Sequence, residues 1–150
     1  MSCSRRAAPD LAPALTSLKH PPLEGFHVLV VDDDPDARTI LRAYLTHHGA
    51  LVSVAADASE ALAALDRVRV DVIVSDLSMP GVDGHELLVR TRKLPDQVQR
   101  PTPAIALTAF DNHEYRHRAR EVGFDAYLAK PLDPELVVLA IARLVPARTA

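Results

Sequence analysis

The sequence predicts an α/β protein, a parallel sheet with helices on both faces. Three observations predict it. Short apolar runs rich in β-branched residues occupy 28–31, 72–75 and 104–108, the pattern of strands buried on both faces. Stretches with helical spacing alternate with strands five times, which favours parallel crossovers over hairpins. Acidic or other polar residues follow the strands, at the end where open α/β sheets hold their ligands.

Residues 1–24 are rich in Ala, Pro and Ser and read as a flexible tail, with one helical turn available over 11–18. The domain is expected from Gly25 to residue 146, followed by a short tail, 147–150. The first strand is expected over 26–31. Asp34 then caps a helix with Pro35 at its first position, and Ala37, Ile40, Leu41, Tyr44 and Leu45 fall at helical spacing. His47-His48-Gly49 ends that helix. The second strand is 51–55. Asp57 or Ser59 caps a second helix, with Ala61, Leu62, Leu65 and Val68 on one face. Asp71 introduces the third strand, 72–75, which runs into Asp76. Met79 to Gly84 is a turn-rich loop, in which Asp83 and Gly84 shape the turn.

A third helix is expected over 84–93, then a loop with three prolines over 94–103. The fourth strand is 104–108. A charged helix over 111–122 ends at Gly123, and 125–129 is a short fifth strand. After Lys130-Pro131, Asp133 caps the last helix, 134–145, with Pro134 at its first position. With the sequence closing just after this helix, no second domain is expected.

The strand ends carry the chemistry. Val28-Leu-Val-Val-Asp-Asp-Asp-Pro35 delivers Asp32 and Asp33 together. Two carboxylates ~4 Å apart repel by about 4 kcal/mol at an effective dielectric near 20. Such a pair calls for a cation, and all-oxygen ligands favour a hard one such as Mg²⁺. Asp76, Thr108 and Lys130 follow the third, fourth and fifth strands. Three carboxylates, a hydroxyl and an ammonium suit phosphoryl transfer, with a central carboxylate able to act as nucleophile.

The totals exclude other classes. The 150 residues suffice for one domain with a proper core, and 48% hydrophobic with 25% charged residues is ordinary globular composition. A net charge of -3 argues against nucleic-acid binding by bulk electrostatics. The single cysteine, Cys3, permits no internal disulfide and reads as a free thiol in the tail. No apolar run approaches the ~20 residues of a membrane span. Pro9, Asp10 and Pro13 interrupt any signal-like core behind Arg5 and Arg6. The expected location is cytoplasmic. His113 and His117 lie four apart, as metal-binding pairs do, but among Glu114, Arg116, Arg118, Arg120 and Glu121 they read as a solvated face.

Five motifs in order carry a resemblance over about residues 26–145: Val-Asp-Asp-Asp at 31–34, Ser-Asp-Leu-Ser-Met-Pro-Gly-Val-Asp-Gly at 75–84, Leu-Thr-Ala at 107–109, Phe-Asp-Ala-Tyr at 124–127 and Lys-Pro at 130–131. The chain resembles the receiver domains of bacterial two-component response regulators, of the chemotaxis-regulator type. The resemblance implies a flavodoxin-like (βα)5 fold with strand order 2-1-3-4-5. It implies Asp76 as phosphoacceptor, Asp33 as direct Mg²⁺ ligand, Asp32 placing a metal-bound water, and Asp76 and the Ser78 backbone carbonyl as further ligands. Thr108 and Lys130 sense the phosphoryl group, and Tyr127 is the switch aromatic that turns inward as Thr108 moves. Lys130-Pro131 is implied to be cis.

Ser78 and Phe110 are implied to flank the path of a water attacking the phosphoryl group. Phe110, large and apolar, would obstruct it and slow self-dephosphorylation. The implied partners are a histidine kinase or phosphotransfer protein and a downstream effector protein, with no nucleic acid and no membrane. The protein would be a monomer or a weak homodimer, through the face made by the fourth helix, fifth strand and fifth helix. The charged fourth helix, with Tyr115 and its arginines, is the foremost docking surface. The lead-in Leu23-Glu-Gly-Phe-His resembles receivers attached to hybrid histidine kinases. The only catalysis implied is the chain's own phosphorylation and dephosphorylation.

Two other readings compete. A receiver-like module that binds partners without phosphorylation would not need the complete acceptor set. A haloacid-dehalogenase-type phosphatase also uses a nucleophilic Asp and Mg²⁺, but needs an Asp-x-Asp-Gly-Thr motif where Asp-Asp-Asp-Pro stands here. A dinucleotide-binding domain would need a Gly-rich turn after the first strand, which is absent.

Overall fold

The computed structural model describes residues 22–109, 113–130 and 133–145. The readings on Cys3, Arg5-Arg6, the helical turn over 11–18, Phe110 and Pro131 lie outside these residues. Five strands, β1 (His27–Val31), β2 (Leu51–Ala55), β3 (Val72–Asp76), β4 (Ala104–Thr108) and β5 (Ala126–Ala129), form one sheet in the order β2-β1-β3-β4-β5. Every neighbouring pair is parallel. The long helices are α1 (Pro35–His47), α2 (Ala58–Arg67), α3 (Gly84–Arg92), α4 (His113–Val122) and α5 (Pro134–Leu144). An additional one-turn helix, Pro95–Gln99, sits inside the stretch expected to be loop.

The period of two along the strands builds two separate cores. Leu29, Val31, Ile73, Ala104 and Ala106 point to one face, where they pack with Ala61 of α2, Leu87 and Leu88 of α3 and Ala119 of α4. Val28, Val30, Val72, Val74, Ile105 and Leu107 point to the other, against Leu41 and Leu45 of α1 and Val137, Val138 and Ile141 of α5. All five residues of β3 and of β4 are buried, which explains their unbroken apolar sequence.

Aspartates set the ends of these elements. Asp34, Asp57, Asp83 and Asp133 each accept a backbone N–H of the following helix turn. Asp57 is thus the cap of α2. Asp71 and Asp125 pin register instead. Asp71 donates its N–H to the His27 carbonyl and accepts the His27 N–H on its side chain, each at 2.7 Å. Asp125 does the same to Ala104 at 2.8 and 2.9 Å.

Three expectations shift. Ile40, expected on the packed face of α1, is 57% exposed, because Leu41 and Leu45 define the buried stripe and Ile40 falls beside it. Val68 is the C-cap of α2 rather than part of its packed face, and is 37% exposed. The packed structure reaches back to Leu23, two residues before the expected start at Gly25. Leu23 is fully buried in the α1–α5 core and donates its N–H to the His48 carbonyl at 2.9 Å.

Candidate functional site

All five strands run parallel, so their carboxyl ends share one edge of the sheet. Asp32 and Asp33 follow β1 directly, Asp76 is the last residue of β3 and Thr108 the last of β4, and Lys130 follows β5 directly. The structure brings Asp32, Asp33 and Asp76 together, with one carboxylate oxygen from each within 4.8 Å of the others. Asp32 and Asp76 are buried and Asp33 is exposed, so the cluster opens to solvent on the Asp33 side.

Lys130 closes the cluster. Its Nζ donates to Asp32 Oδ2 at 3.1 Å and lies 3.4 Å from Asp76 Oδ2. The Lys130 N–H donates to the Thr108 carbonyl at 2.7 Å, tying the lysine's backbone to the end of β4. Asp76 Oδ1 accepts the Ser78 N–H at 3.1 Å, and half-buried Ser78 stands beside the acceptor carboxylate. Asp32 is fixed from three directions: its Oδ1 accepts the Asp34 N–H at 2.9 Å, its N–H donates to the Ala55 carbonyl, and its carbonyl accepts from Arg38 Nη1 at 2.7 Å.

Burial holds the Asp76 carboxyl above the usual carboxylate range, with the Asp32 charge adding to it. The Ser78 N–H and Lys130 oppose without overcoming it. For Lys130, burial pulls the ammonium down, but Asp76 and Asp32 together outweigh burial, and its pKa ends above the ordinary lysine value. Lys130 therefore serves Asp32 and Asp76 together, while Asp33 faces solvent.

Tyr127 lies on β5, half-buried, packed partly against the core on the α2–α3–α4 side. The Arg116 guanidinium of α4 stacks over its ring, 5.4 Å from the centroid. Thr108 is fully buried. Asp34 belongs to α1 as its cap, with Oδ1 accepting the Asp36 N–H at 3.0 Å. Gly84 contributes by close approach. A Cβ there would run into the Asp76 carbonyl oxygen and come within 2.9 Å of the Leu77 Cα, so α3 can begin against the end of β3 only with glycine. The left-handed turn of this loop is instead at Gly81, with φ 77°. His113 and His117 are exposed. Their rings stack with centroids 6.4 Å apart, and His117 pairs with Glu121 at 3.4 Å, in keeping with a solvated face.

Two residues escaped the sequence reading. Arg38 props the Asp32 carbonyl, and the available clue is a cation near the start of a helix, where the dipole disfavours it. His85, in the first turn of α3, is buried, and its clue is only its spacing from Leu88 on the packed stripe.

The carboxylate cluster with its lysine stands at a parallel sheet's carboxyl edge, where open α/β sheets bind ligands. The chain belongs to the response regulator receiver domain family, whose model matches residues 28–142. It is 49% identical over 123 residues to an uncharacterized 14.6 kDa protein of Leptolyngbya boryana, covering 82% of this chain and 89% of that one. It is 35% identical over 134 residues to probable histidine kinase 2 of Oryza sativa subsp. indica, of which it spans 13% while 80% of this chain is covered. Among solved structures, chemotaxis protein CheY4 of Vibrio cholerae is similar with a TM-score of 0.75 at 34% identity, over 80% of this chain and 98% of that one. Receiver domains bind Mg²⁺ at an acidic pocket and work with histidine kinases and effectors. No helix among the described residues is long and apolar enough to cross a membrane.

Proposed function

We propose that the chain is a switch in which Asp76 takes a phosphoryl group from a histidine kinase or phosphotransfer protein. The observation that carries this reading is the Asp32–Asp33–Asp76 cluster with Lys130 Nζ within 3.4 Å of both buried carboxylates. The donor set is all oxygen and doubly uncompensated, which suits a hard divalent cation. Asp33, Asp76 and the Ser78 carbonyl would hold Mg²⁺, with Asp32 acting through a bound water; the ion would supply charge neutralisation for phosphate oxygens. Asp76 attacks phosphorus, the bond from phosphorus to the donor histidine nitrogen breaks, and an acyl phosphate remains. Lys130 then pairs with a phosphoryl oxygen instead of with two carboxylates, and Thr108 donates its hydroxyl.

The modification adds about -1.5 to -2 of charge and three acceptor oxygens. As Thr108 and Lys130 draw in, Tyr127 follows, and the α4–β5–α5 face changes toward an effector protein. A shift from 1% to 99% active needs about 5.5 kcal/mol of preference. Two or three charge-assisted hydrogen bonds in a partly buried site are of that order. The domain includes Leu23 at its start, and it acts in the cytoplasm, monomeric or weakly dimeric through α4–β5–α5. It catalyses only its own phosphorylation and dephosphorylation.

Incubation with acetyl phosphate and Mg²⁺, read by intact mass, tests this. A phosphoryl adduct is expected for the wild type, and none for Asp76→Asn or in the presence of EDTA. An adduct that persists in Asp76→Asn would move the acceptor elsewhere. No adduct, with Mg²⁺ binding shown separately, would favour a binding module that works without phosphorylation.

A further inference from the structure

His85 is the one buried side chain, among the described residues, whose polar atoms have no hydrogen-bond partner at all. It is 1% exposed, and neither ring nitrogen is satisfied. An orphaned buried polar group costs about 1–3 kcal/mol, so its presence asks for a reason. Its position supplies one. The ring projects from the first turn of α3, the helix that starts against the acceptor strand at Gly84. It makes edge contacts with Tyr115 of α4, at 5.8 Å between centroids, and with Phe124, at 6.5 Å, in the turn between α4 and β5. His85 therefore lies between the acceptor loop and α4.

Among the described residues, the charged groups set against it are Asp83 and Arg118. Asp83, the cap of α3, has Oδ2 4.0 Å from His85 Nδ1, too far for a hydrogen bond. The same oxygen lies 3.9 Å from Arg118 Nη1 of α4. From α4, Arg118 opposes a charged ring, while the Tyr115 backbone lies near enough to favour one without reaching hydrogen-bond geometry. Phe124 carries no charge. A protonated ring would thus be a buried cation facing an arginine, with one carboxylate already shared. It must either draw Asp83 away from Arg118 or move toward water, and Tyr115 stands over it in that contact.

We propose that His85 is a positioning residue for α4, whose protonation loosens the α3–α4 contact and resets the face that α4 presents. The neutral ring, packed edge-on against Tyr115 and Phe124, keeps α4 docked. Acid releases it without any phosphoryl group, so the effect does not depend on the chemistry at Asp76. Burial, reinforced by Arg118, holds the ring below the ordinary histidine value. The transition accordingly falls below about pH 6.5.

The test is a pH titration by NMR of the full chain, unphosphorylated, from about pH 8 to about pH 5. His113→Gln and His117→Gln form the background, because those two histidines lie on α4 itself. The amides of Tyr115, Ala119 and Phe124 should shift with a common inflection below about pH 6.5. The inflection should vanish in His85→Leu and in His85→Gln, either of which suffices if the other folds poorly. In parallel, the unfolding equilibrium constant of the His85 protein should rise by up to about tenfold per pH unit below 6.5 relative to either variant. Flat amides, an inflection that survives both substitutions, or one above about pH 6.5 would overturn the proposal.

Discussion

Lys130 balances two carboxylates with one charge, at 3.1 Å from Asp32 and 3.4 Å from Asp76. Lys130→Ala leaves Asp32, which is fully buried, facing Asp76 with no counter-charge. The expected loss is about 2–3 kcal/mol in metal-free buffer, measured by urea denaturation. Its pH dependence is fixed by the raised lysine pKa. The pair's contribution is whole below about pH 10.5 and is lost as pH rises through the higher folded value. The gap between wild type and Lys130→Ala should therefore be constant through neutral pH and close in strong alkali. Gly84→Ala tests a steric demand, since its Cβ meets the backbone of Asp76 and Leu77 rather than a movable side chain. It should cost about 1–3 kcal/mol and lower the yield of phosphoryl adduct, because the acceptor strand's end must yield. A fully stable Gly84→Ala would show that α3 can start elsewhere. At this scale the sequence was informative about position, since strand ends are locally legible: Asp32, Asp33, Asp76, Thr108 and Lys130 all lie there. Gly84 was legible as special but not why, since the close approach depends on how the loop from Leu77 folds back on the end of β3.

The element the sequence hid is the one-turn helix Pro95–Gln99. Three prolines in ten residues read as loop, yet proline is at home at a helix's first position, and Pro95 stands there. What fixes the turn is tertiary. Gln97, buried, accepts from Arg92 Nη1 at 2.9 Å and from the Thr102 N–H at 2.8 Å, and donates to Thr102 Oγ1 at 2.7 Å. Arg92 also reaches the Gly123 carbonyl at 3.3 Å, so this polar knot joins α3 to the turn after α4. Gln97→Leu keeps the volume and strands the buried Thr102 N–H and the half-buried Arg92. We expect a loss of about 2–3 kcal/mol by chemical denaturation, with little change in the rate of phosphorylation at the far edge of the sheet. If Gln97→Leu is neutral, water satisfies those groups and the knot is not structural. The regular elements were legible because period-two and helical spacing, with Asp and Pro at the helix starts, are local signals. Ile40 and Val68 were misplaced because spacing gives a helix's apolar arc but not where the sheet meets it.

At the scale of the whole molecule, two buried cores lie on the two faces of one sheet, whose carboxyl edge carries the aspartates. The order β2-β1-β3-β4-β5 was legible because the five motifs resemble one family closely. Periodicity alone gives strands and crossovers, not their order. The edge also sets a conflict between stability and function. Burial keeps the Asp76 carboxyl above its ordinary pKa, so its charge at neutral pH works against folding. In metal-free buffer Asp76→Asn should therefore be more stable than the wild type, although it lacks the proposed acceptor. Magnesium should reverse the order. A ligand bound only by the folded state stabilises by about 2.7 kcal/mol at a hundred times its dissociation constant. The wild type offers three carboxylates and the variant two, so only the wild type should gain in full. Denaturation curves for both proteins, with EDTA and then with saturating Mg²⁺, should cross between the two conditions. If Asp76→Asn is the less stable protein in EDTA, burial does not strain Asp76; if it stays the more stable one in Mg²⁺, Asp76 is not a partner of the ion. A crossing would show that the receiver holds its acceptor in an unfavourable place which the cation relieves.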